Sequence, residues 1–503
     1  MDTKCTLIKG TIYLTIGQIV FVISSYTLHI GLARYLGPEK YGMFGVILYL
    51  TIMARSLVNR GVPQSVSKYI AENEGYANTI KNKGLFVQAV VSIIIAIIYF
   101  SCAKVLSQLL HDSSLTPYIQ LSAINVPFFG LYMIYIYSLN GKRWFGHQAI
   151  LGIIHDTILP LIIIILVLAG FSLNGAIMGL ILTAIIGSVV GHFYCQFEPD
   201  HHVPEGLPLP EGLPLPEGLH LPEGHVMHDT KPIYFPVSTI IKFAIPVTIF
   251  AIFTSILLSI DLLLVKSILK ENIQAGFYAS ARSLAVTPFF ISIALSRSIF
   301  PAIARAAADN NHSLTRQYIQ HSLRLLLIWM IPVVAIISAT SREIILLIYS
   351  TPYLSASIPL SILIIGIGFF TVYLILTTII TAGDNPNLSM WLNIVILIVS
   401  IIANLYLIPR YGIIGASIGT SIAMIIGAII SAIYVFIRFK ALIQPLSAAR
   451  ILIATLPIYL LSLCIQVHGF WIIGWYVLLV IGYLIILIWI RELKVKEILQ
   501  ILR

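Results

Sequence analysis

Apolar runs of about 17 to 28 residues, each closed by charge or by Pro and Gly clusters, recur along the chain and read as helices able to cross about 30 Å of hydrocarbon. Fourteen such spans are expected, near 11–33, 43–59, 85–103, 116–139, 149–170 and 174–196, then 237–260, 274–299, 322–341, 356–382, 388–408, 412–437, 451–467 and 471–490. Stretches such as 161–168 and 394–399 are apolar without alternation, which excludes the period-two pattern of transmembrane barrel strands. The pattern predicts an all-α polytopic membrane protein.

Composition agrees, since 58% of the 503 residues are hydrophobic and only 10% are charged, against roughly 25% charged in soluble domains. The net charge of +10 is spread over short loops between apolar runs, so it speaks for orientation and not for a nucleic-acid partner. With the N-terminus inside, eighteen of the 30 Lys and Arg fall in inner segments and seven, among them Arg34, Lys266 and Lys270, in outer loops. That bias predicts a multi-pass protein of the cytoplasmic membrane with both termini in the cytoplasm. Lys4 and Lys9 precede the first run without a small-residue cleavage site after it, so this segment is expected to stay as the first helix. The four cysteines are far apart, with neither disulfide nor zinc spacing.

The chain also repeats itself. Residues 171–194 align with 411–434 without a gap, placing Gly175, Gly179, Gly187 and Tyr194 on Gly415, Gly419, Gly427 and Tyr434. A weaker echo links GPEKYGMF at 37–44 with KENIQAGFY at 270–278. The expected organisation is a six-helix bundle at 1–196, a linker at 197–236, a second six-helix bundle at 237–440, and two further helices with a tail at 441–503. Three PEGLPL-type hexads between 204 and 221 and a truncated PEG at 222–224 cannot be helical and stay hydrated, so the linker reads as extended and cytoplasmic. Its five histidines read as part of a low-complexity insertion and not as a metal site.

No P-loop, GxSxG, HExxH or paired carboxylates at metal-ligand spacing is present, so no enzymatic chemistry, metal or resident cofactor is expected. The informative residues are ionisable groups inside apolar spans, each costing about 2.5 to 3.5 kcal/mol at a helix centre. Arg55, Arg282 and Lys242 read as a cationic site for a phosphate or pyrophosphate, with Arg60 and Lys68 guiding such a group in from the inner surface. Asp261 reads as a counterion to Arg282 that yields when an anionic substrate competes. His155 and Asp156 read as a candidate proton relay, although neighbours in a helix point about 100° apart and cannot both line one narrow path. Arg297, Arg305, Arg316 and Arg324 read as contacts to anionic membrane lipid.

The stretch LARYLGPEKYGMFGVILYL at 32–50, continued by RGVPQSVSKYIAEN at 60–73, resembles the N-terminal signature of the polysaccharide transporter family, the O-antigen-type flippases of the multidrug/oligosaccharidyl-lipid/polysaccharide exporter superfamily. Residues 260–306 resemble the matching signature of the second half. The resemblance implies two six-helix bundles around a central cavity plus two C-terminal helices. It also implies a substrate made of an oligosaccharide on a polyprenyl phosphate or pyrophosphate, moved to the outer leaflet by alternating access. Polysaccharide assembly enzymes are the further expected partners, and H+ or Na+ the possible coupling ion. Lipid II flippases of the superfamily carry arginines inside the first helix, whereas 10–33 here has none, which argues against a peptidoglycan precursor. Two rival readings are a cation-coupled multidrug antiporter, disfavoured by the scarcity of buried carboxylates, and a membrane-embedded glycan polymerase, disfavoured by short outer loops.

Overall fold

The computed structural model describes residues 3–196, 236–308, 311–382, 386–465 and 467–493. The PEGLPL repeat, its histidines and nearly all of the expected 197–236 linker lie outside these residues. Among the described residues every regular element is helical. Ten helices are long and apolar enough to cross a membrane. That is fewer than the fourteen apolar runs because three helical stretches each cover two of them, Tyr13–Glu72, Phe145–Tyr194 and Asn387–Phe439, and the run at 274–299 is divided between two helices that are not among the ten.

Each of these stretches breaks at a glycine. Helix α1 (Thr3–Asn59) has 57 residues, so a straight one would run about 85 Å, nearly three hydrocarbon thicknesses. Gly37, at φ +73° and ψ 171°, interrupts it in a conformation that a side chain disfavours, and Pro38 follows with its φ already set for a new helix. Gly170 lies between α6 (Phe145–Leu166) and α7 (Ser172–Tyr194), and Gly412 lies inside α15 (Pro386–Phe439). The expected span at 274–299 is split instead between α10 (Asn272–Ala285) and α11 (Thr287–Ala308).

In the first half α1 packs on α6, α6 on α7, and α2 (Gly61–Glu72) and α3 (Ala77–Leu109) on α5 (Asn125–Gly141); α4 (Thr116–Ala123) covers α3. In the second half α14 (Ser357–Ala382) packs on α11, α12 (His312–Ala339) and α15. The halves meet where α1 packs against α10 and α2 against α8 (Val237–Leu257), with α9 (Ile260–Leu269) between α10 and α15. Helix α13 (Ser341–Tyr349) leads into α14, and α16 (Pro445–Cys464) docks on α12 and carries α17 (Trp471–Trp489).

The sequence repeat is also a packing repeat. A Cβ added at Gly179 would press on the Ile163 backbone, and one at Gly419 on that of Ala403 and Asn404. Gly187 faces Tyr132 and His155, while Gly427 faces Tyr373 and Ile396. Phe129 and Phe370 stand next to these tyrosines in the two halves, with ring centroids 6.1 and 5.9 Å away. The weaker echo has its own counterpart, because Gly42 and Gly276 occupy matching positions and meet each other across the halves. A Cβ on Gly42 would lie 2.6 Å from Gly276 N, and one on Gly276 would lie 2.9 Å from Pro38 C. Matching residues in mutual contact are what a pseudo-two-fold relation between the halves produces.

Candidate functional site

A cavity of about 350 Å³ lies between the halves. Helix α1 supplies Tyr49, Arg55 and Asn59, with Arg60 just beyond its end; α8 supplies Thr254 and Ser255; α10 and α11 supply Arg282 and Phe289. Phe129 and Phe370, the pair related by the repeat, both line the cavity. Asp and Glu are absent from the described lining.

Arg55 is half-buried, and its Nε donates to Asn125 Oδ1. Asn125 in turn donates to Leu180 O at 2.7 Å, which fixes its orientation. The Arg55 guanidinium carbon lies 4.2 Å from the Phe129 ring centroid, a cation–π contact that holds the charge beside the cavity. Arg55 makes no ion pair among the described residues. Arg60, at the far end of the cavity, is exposed.

Arg282 is 4% exposed and forms the buried ion pair expected with Asp261. Its Nη1 donates to Asp261 Oδ1, and its Nη2 donates to Leu258 O. Asp261 also accepts from Leu262 N and from Tyr278 Oη, each at 2.8 Å. The Arg282 guanidinium carbon lies 4.9 Å from the Tyr49 ring centroid, while its Nε is buried without a hydrogen-bond partner. One donor of this arginine therefore stays unsatisfied in a group that lines the cavity.

His155 and Asp156 bond to each other, Nδ1 to Oδ1 at 2.9 Å, and stand outside the cavity lining. The His155 ring stacks on Tyr132 at 4.5 Å and lies 6.4 Å from Phe129, whose ring also carries Arg55. Lys242 is exposed on α8 and is not among the lining residues. Lys68 is paired with Glu72 at 3.9 Å, both well exposed. Arg324 bonds Glu492, Nε to Oε1 at 2.8 Å, and Ser447 and Arg450 reach the same carboxylate. That cluster ties the chain after α17 to α12 and α16.

Sequence reasoning missed the closure at the opposite end from Arg60. Lys266, read there as an outer-loop residue, is 1% exposed and donates to Asp112 Oδ2 at 2.9 Å. Asn272 Nδ2 donates to the same oxygen at 2.9 Å, so the first half's Asp112 is clasped by two residues of the second. Burial alone would raise the Asp112 carboxyl, but hydrogen bonds from Ser114, Lys266 and Asn272 and the Lys266 charge pull it from 3.8 down to about 2. A depressed carboxyl stabilises the folded contact above its ordinary value and loses that contribution as pH falls through about 2. Closure at this end is therefore expected to be unchanged from about pH 5 to pH 9 and weakened throughout that range by Asp112→Asn. Cysteine accessibility at the clasp across that range checks both statements.

A family model described as polysaccharide biosynthesis protein matches residues 7–307. A putative O-antigen transporter of Shigella flexneri is 21% identical over 419 residues, 79% of this chain and 90% of that protein. A probable low-salt glycan biosynthesis flippase, Agl15 of Haloferax volcanii, is 24% identical over 169 residues, 33% of this chain and 36% of that protein. Among solved structures, the lipid II flippase MurJ in an inward closed conformation superposes with a TM-score of 0.72 at 16% identity, covering 96% of this chain and 99% of that one. An inward-facing multidrug resistance MATE family transporter superposes with a TM-score of 0.64 at 14% identity, covering 84% and 98%. At those identities the two structures establish a shared polytopic transporter fold. With the family match spanning more than half of its length, the chain belongs to the polysaccharide biosynthesis protein family of multi-pass membrane proteins.

Proposed function

We propose that the protein is a flippase that carries an oligosaccharide linked to a polyprenyl phosphate or pyrophosphate from the inner to the outer leaflet of the cytoplasmic membrane. The observation that carries this reading is the charge of the cavity, where Arg55, Arg60 and Arg282 face a space whose described lining holds no carboxylate. A glycan needs such a path, because each unpaired hydroxyl costs several kcal/mol in hydrocarbon. Its phosphate needs a fixed cation, and an arginine fork meets phosphate oxygens in pairs. The named relatives, an O-antigen transporter and a glycan biosynthesis flippase, support the same substrate class. A cationic drug would meet repulsion in this cavity, so the antiporter reading is not favoured.

In this reading both termini are cytoplasmic, the Arg60 end of the cavity faces inward and the Asp112 clasp closes the outer side. Arg60 meets the incoming phosphate, and Arg55 and Arg282 hold it at mid-depth. Asp261 then shares Arg282 with the substrate, and transport proceeds by rocking of the halves, which opens and closes the Gly42–Gly276 contact. His155 and Asp156 are the candidate relay if a proton gradient drives the cycle. Lys242, exposed on α8, takes the weaker role of attracting anionic headgroups.

The test is leaflet-resolved. Depleting the protein in its host is expected to accumulate lipid-linked glycan on the cytoplasmic face, and wild type is expected to reverse this. Arg55→Ala removes a charge-assisted contact of about 1.5 to 3 kcal/mol, so its flipping rate is expected to fall by about 10- to 150-fold. Full rescue by Arg55→Ala would remove that residue from the site, and absence of accumulation would sink the flippase reading.

A further inference from the structure

Between Arg282 and the Asp112 clasp, the halves meet through a seam of tyrosines. Tyr41 of the first half lies 6.4 Å from Tyr349 and 6.1 Å from Tyr353 of the second, centroid to centroid. All three rings are 1% exposed. Their hydroxyls are all satisfied, that of Tyr353 across the interface and those of Tyr349 and Tyr41 within their own halves. Tyr353 donates to Ala33 O at 2.8 Å, Tyr349 and Ser283 share a hydrogen bond of 2.5 Å, and Tyr41 bonds His29 Nδ1 at 2.9 Å. One turn deeper, Tyr26 of the first half bonds Thr287 of the second at 2.7 Å.

This composition differs from the core of the second half, where the buried cluster around α14 and α15 is mostly Ile, Leu and Ala. Hydrocarbon would have sealed the seam equally well. A buried tyrosine differs in what happens on separation, because its hydroxyl and ring edge are rehydrated, whereas each Å² of exposed hydrocarbon costs about 25 cal/mol. A surface built this way is cheap to wet. Once parted, it presents hydroxyls that donate and accept, and flat rings that cover the C–H faces of pyranoses.

We infer that the tyrosine seam is a second glycan-binding surface, hidden in this conformation and exposed to the outer side when the halves part, with Tyr349, Tyr353 and Ser283 contacting sugar hydroxyls. The inference rests on the flippase reading. It adds a division of labour, in which Arg282 holds the phosphate at mid-depth while the sugars move from the cavity on one side of it to the seam on the other. Ser283 follows Arg282 directly on α10, so the two sites adjoin.

The experiment uses the full chain reconstituted in liposomes with two probes, a polyprenyl diphosphate carrying a disaccharide and the same lipid without sugar. The double variant Tyr349→Phe/Tyr353→Phe keeps the rings and removes two hydroxyls. It is expected to slow flipping of the disaccharide lipid about tenfold, the equivalent of one or two lost hydrogen bonds, while leaving the bare lipid within about twofold of wild type. Equal slowing of both lipids, or of neither, overturns the proposal, because a merely structural seam treats them alike. As a second readout, Cys5, Cys102, Cys195 and Cys464 are replaced by serine and Ser283→Cys is introduced. A membrane-impermeant maleimide is expected to label it from the outer face, more slowly when the disaccharide lipid is present. No outer labelling in protein that still flips the disaccharide lipid overturns the seam alone. Wild type that moves neither probe overturns the flippase reading and the seam with it.

Discussion

Gly276→Ala is expected to abolish most transport by holding the two halves apart. The added Cβ overlaps Pro38 O and lies 3.3 Å from Gly42 N, and these are backbone atoms that have no rotamer to retreat into. Overpacking of this kind costs about 1 to 3 kcal/mol, so the closed state should lose about 5- to 150-fold in population relative to states with the halves parted. Transport needs both states, and the initial flipping rate should fall accordingly. Ser283→Cys, in the same background, should become more reactive from the outer face, since the contact that is lost is the one next to the tyrosine seam. Unchanged flipping in Gly276→Ala would mean that α1 and α10 do not separate or close during the cycle. Gly42→Ala tests the same contact from the other side, where the new Cβ meets Asn272 O and, at 2.6 Å, Gly276 N.

Arg282→Ala carries the second large expected effect, and it separates folding from transport. Asp261 is 1% exposed and its principal partner is this guanidinium. Removing one member of a buried pair leaves a charge uncompensated, at a cost of about 3 to 5 kcal/mol. The variant should show a lower melting temperature and a reduced yield in detergent, independent of any substrate. The double variant Arg282→Met/Asp261→Leu removes both charges, and replacement of a buried pair by hydrocarbon is often neutral or stabilising. It is expected to melt above the Arg282→Ala single variant but below wild type, since Tyr278 Oη and Leu262 N lose their acceptor, and to remain inactive in flipping, because the phosphate has lost its mid-depth cation. A double variant that both folds and flips would reduce the Arg282–Asp261 pair to a structural tie. Asp261→Asn alone should destabilise less, since Tyr278 and Leu262 N keep an oxygen acceptor within reach.

Much of the candidate site was legible in one dimension. Arg55 and Arg282 stood out because a guanidinium in an apolar run is costly enough to need a reason, and Asp261 stood out as the carboxylate at matching depth. The Gly register at 171–194 and 411–434 announced a packing repeat, and the structure places those glycines against equivalent partners. Lys242 shows the limit of that reasoning. Depth along a helix says how far a side chain lies from either surface but not which way it faces, and on α8 it stands exposed while Thr254 and Ser255 line the cavity. Lys266 failed for a related reason. The break after Leu257 starts a new helix at Ile260, which carries this lysine into the protein at a position where an uninterrupted span would already have ended. Asn125 and Phe129 could not be told from packing, because a neutral side chain within an apolar run is indistinguishable from helix-packing glue until Arg55 is seen resting on it.

Local sequence is enough to establish a polytopic helical membrane protein, its internal repeat and the positions of its costly charges. Those properties follow from local hydrophobicity and from charge in hydrocarbon, and both act on each segment separately. Which groups meet depends on how the helices pack. Asp112 and Lys266 are 154 residues apart, Tyr353 and Ala33 are 320 apart, and neither contact has a local cause. Both join the halves, as does the close approach of the Gly42 and Gly276 backbones, so they exist only once the two halves have docked.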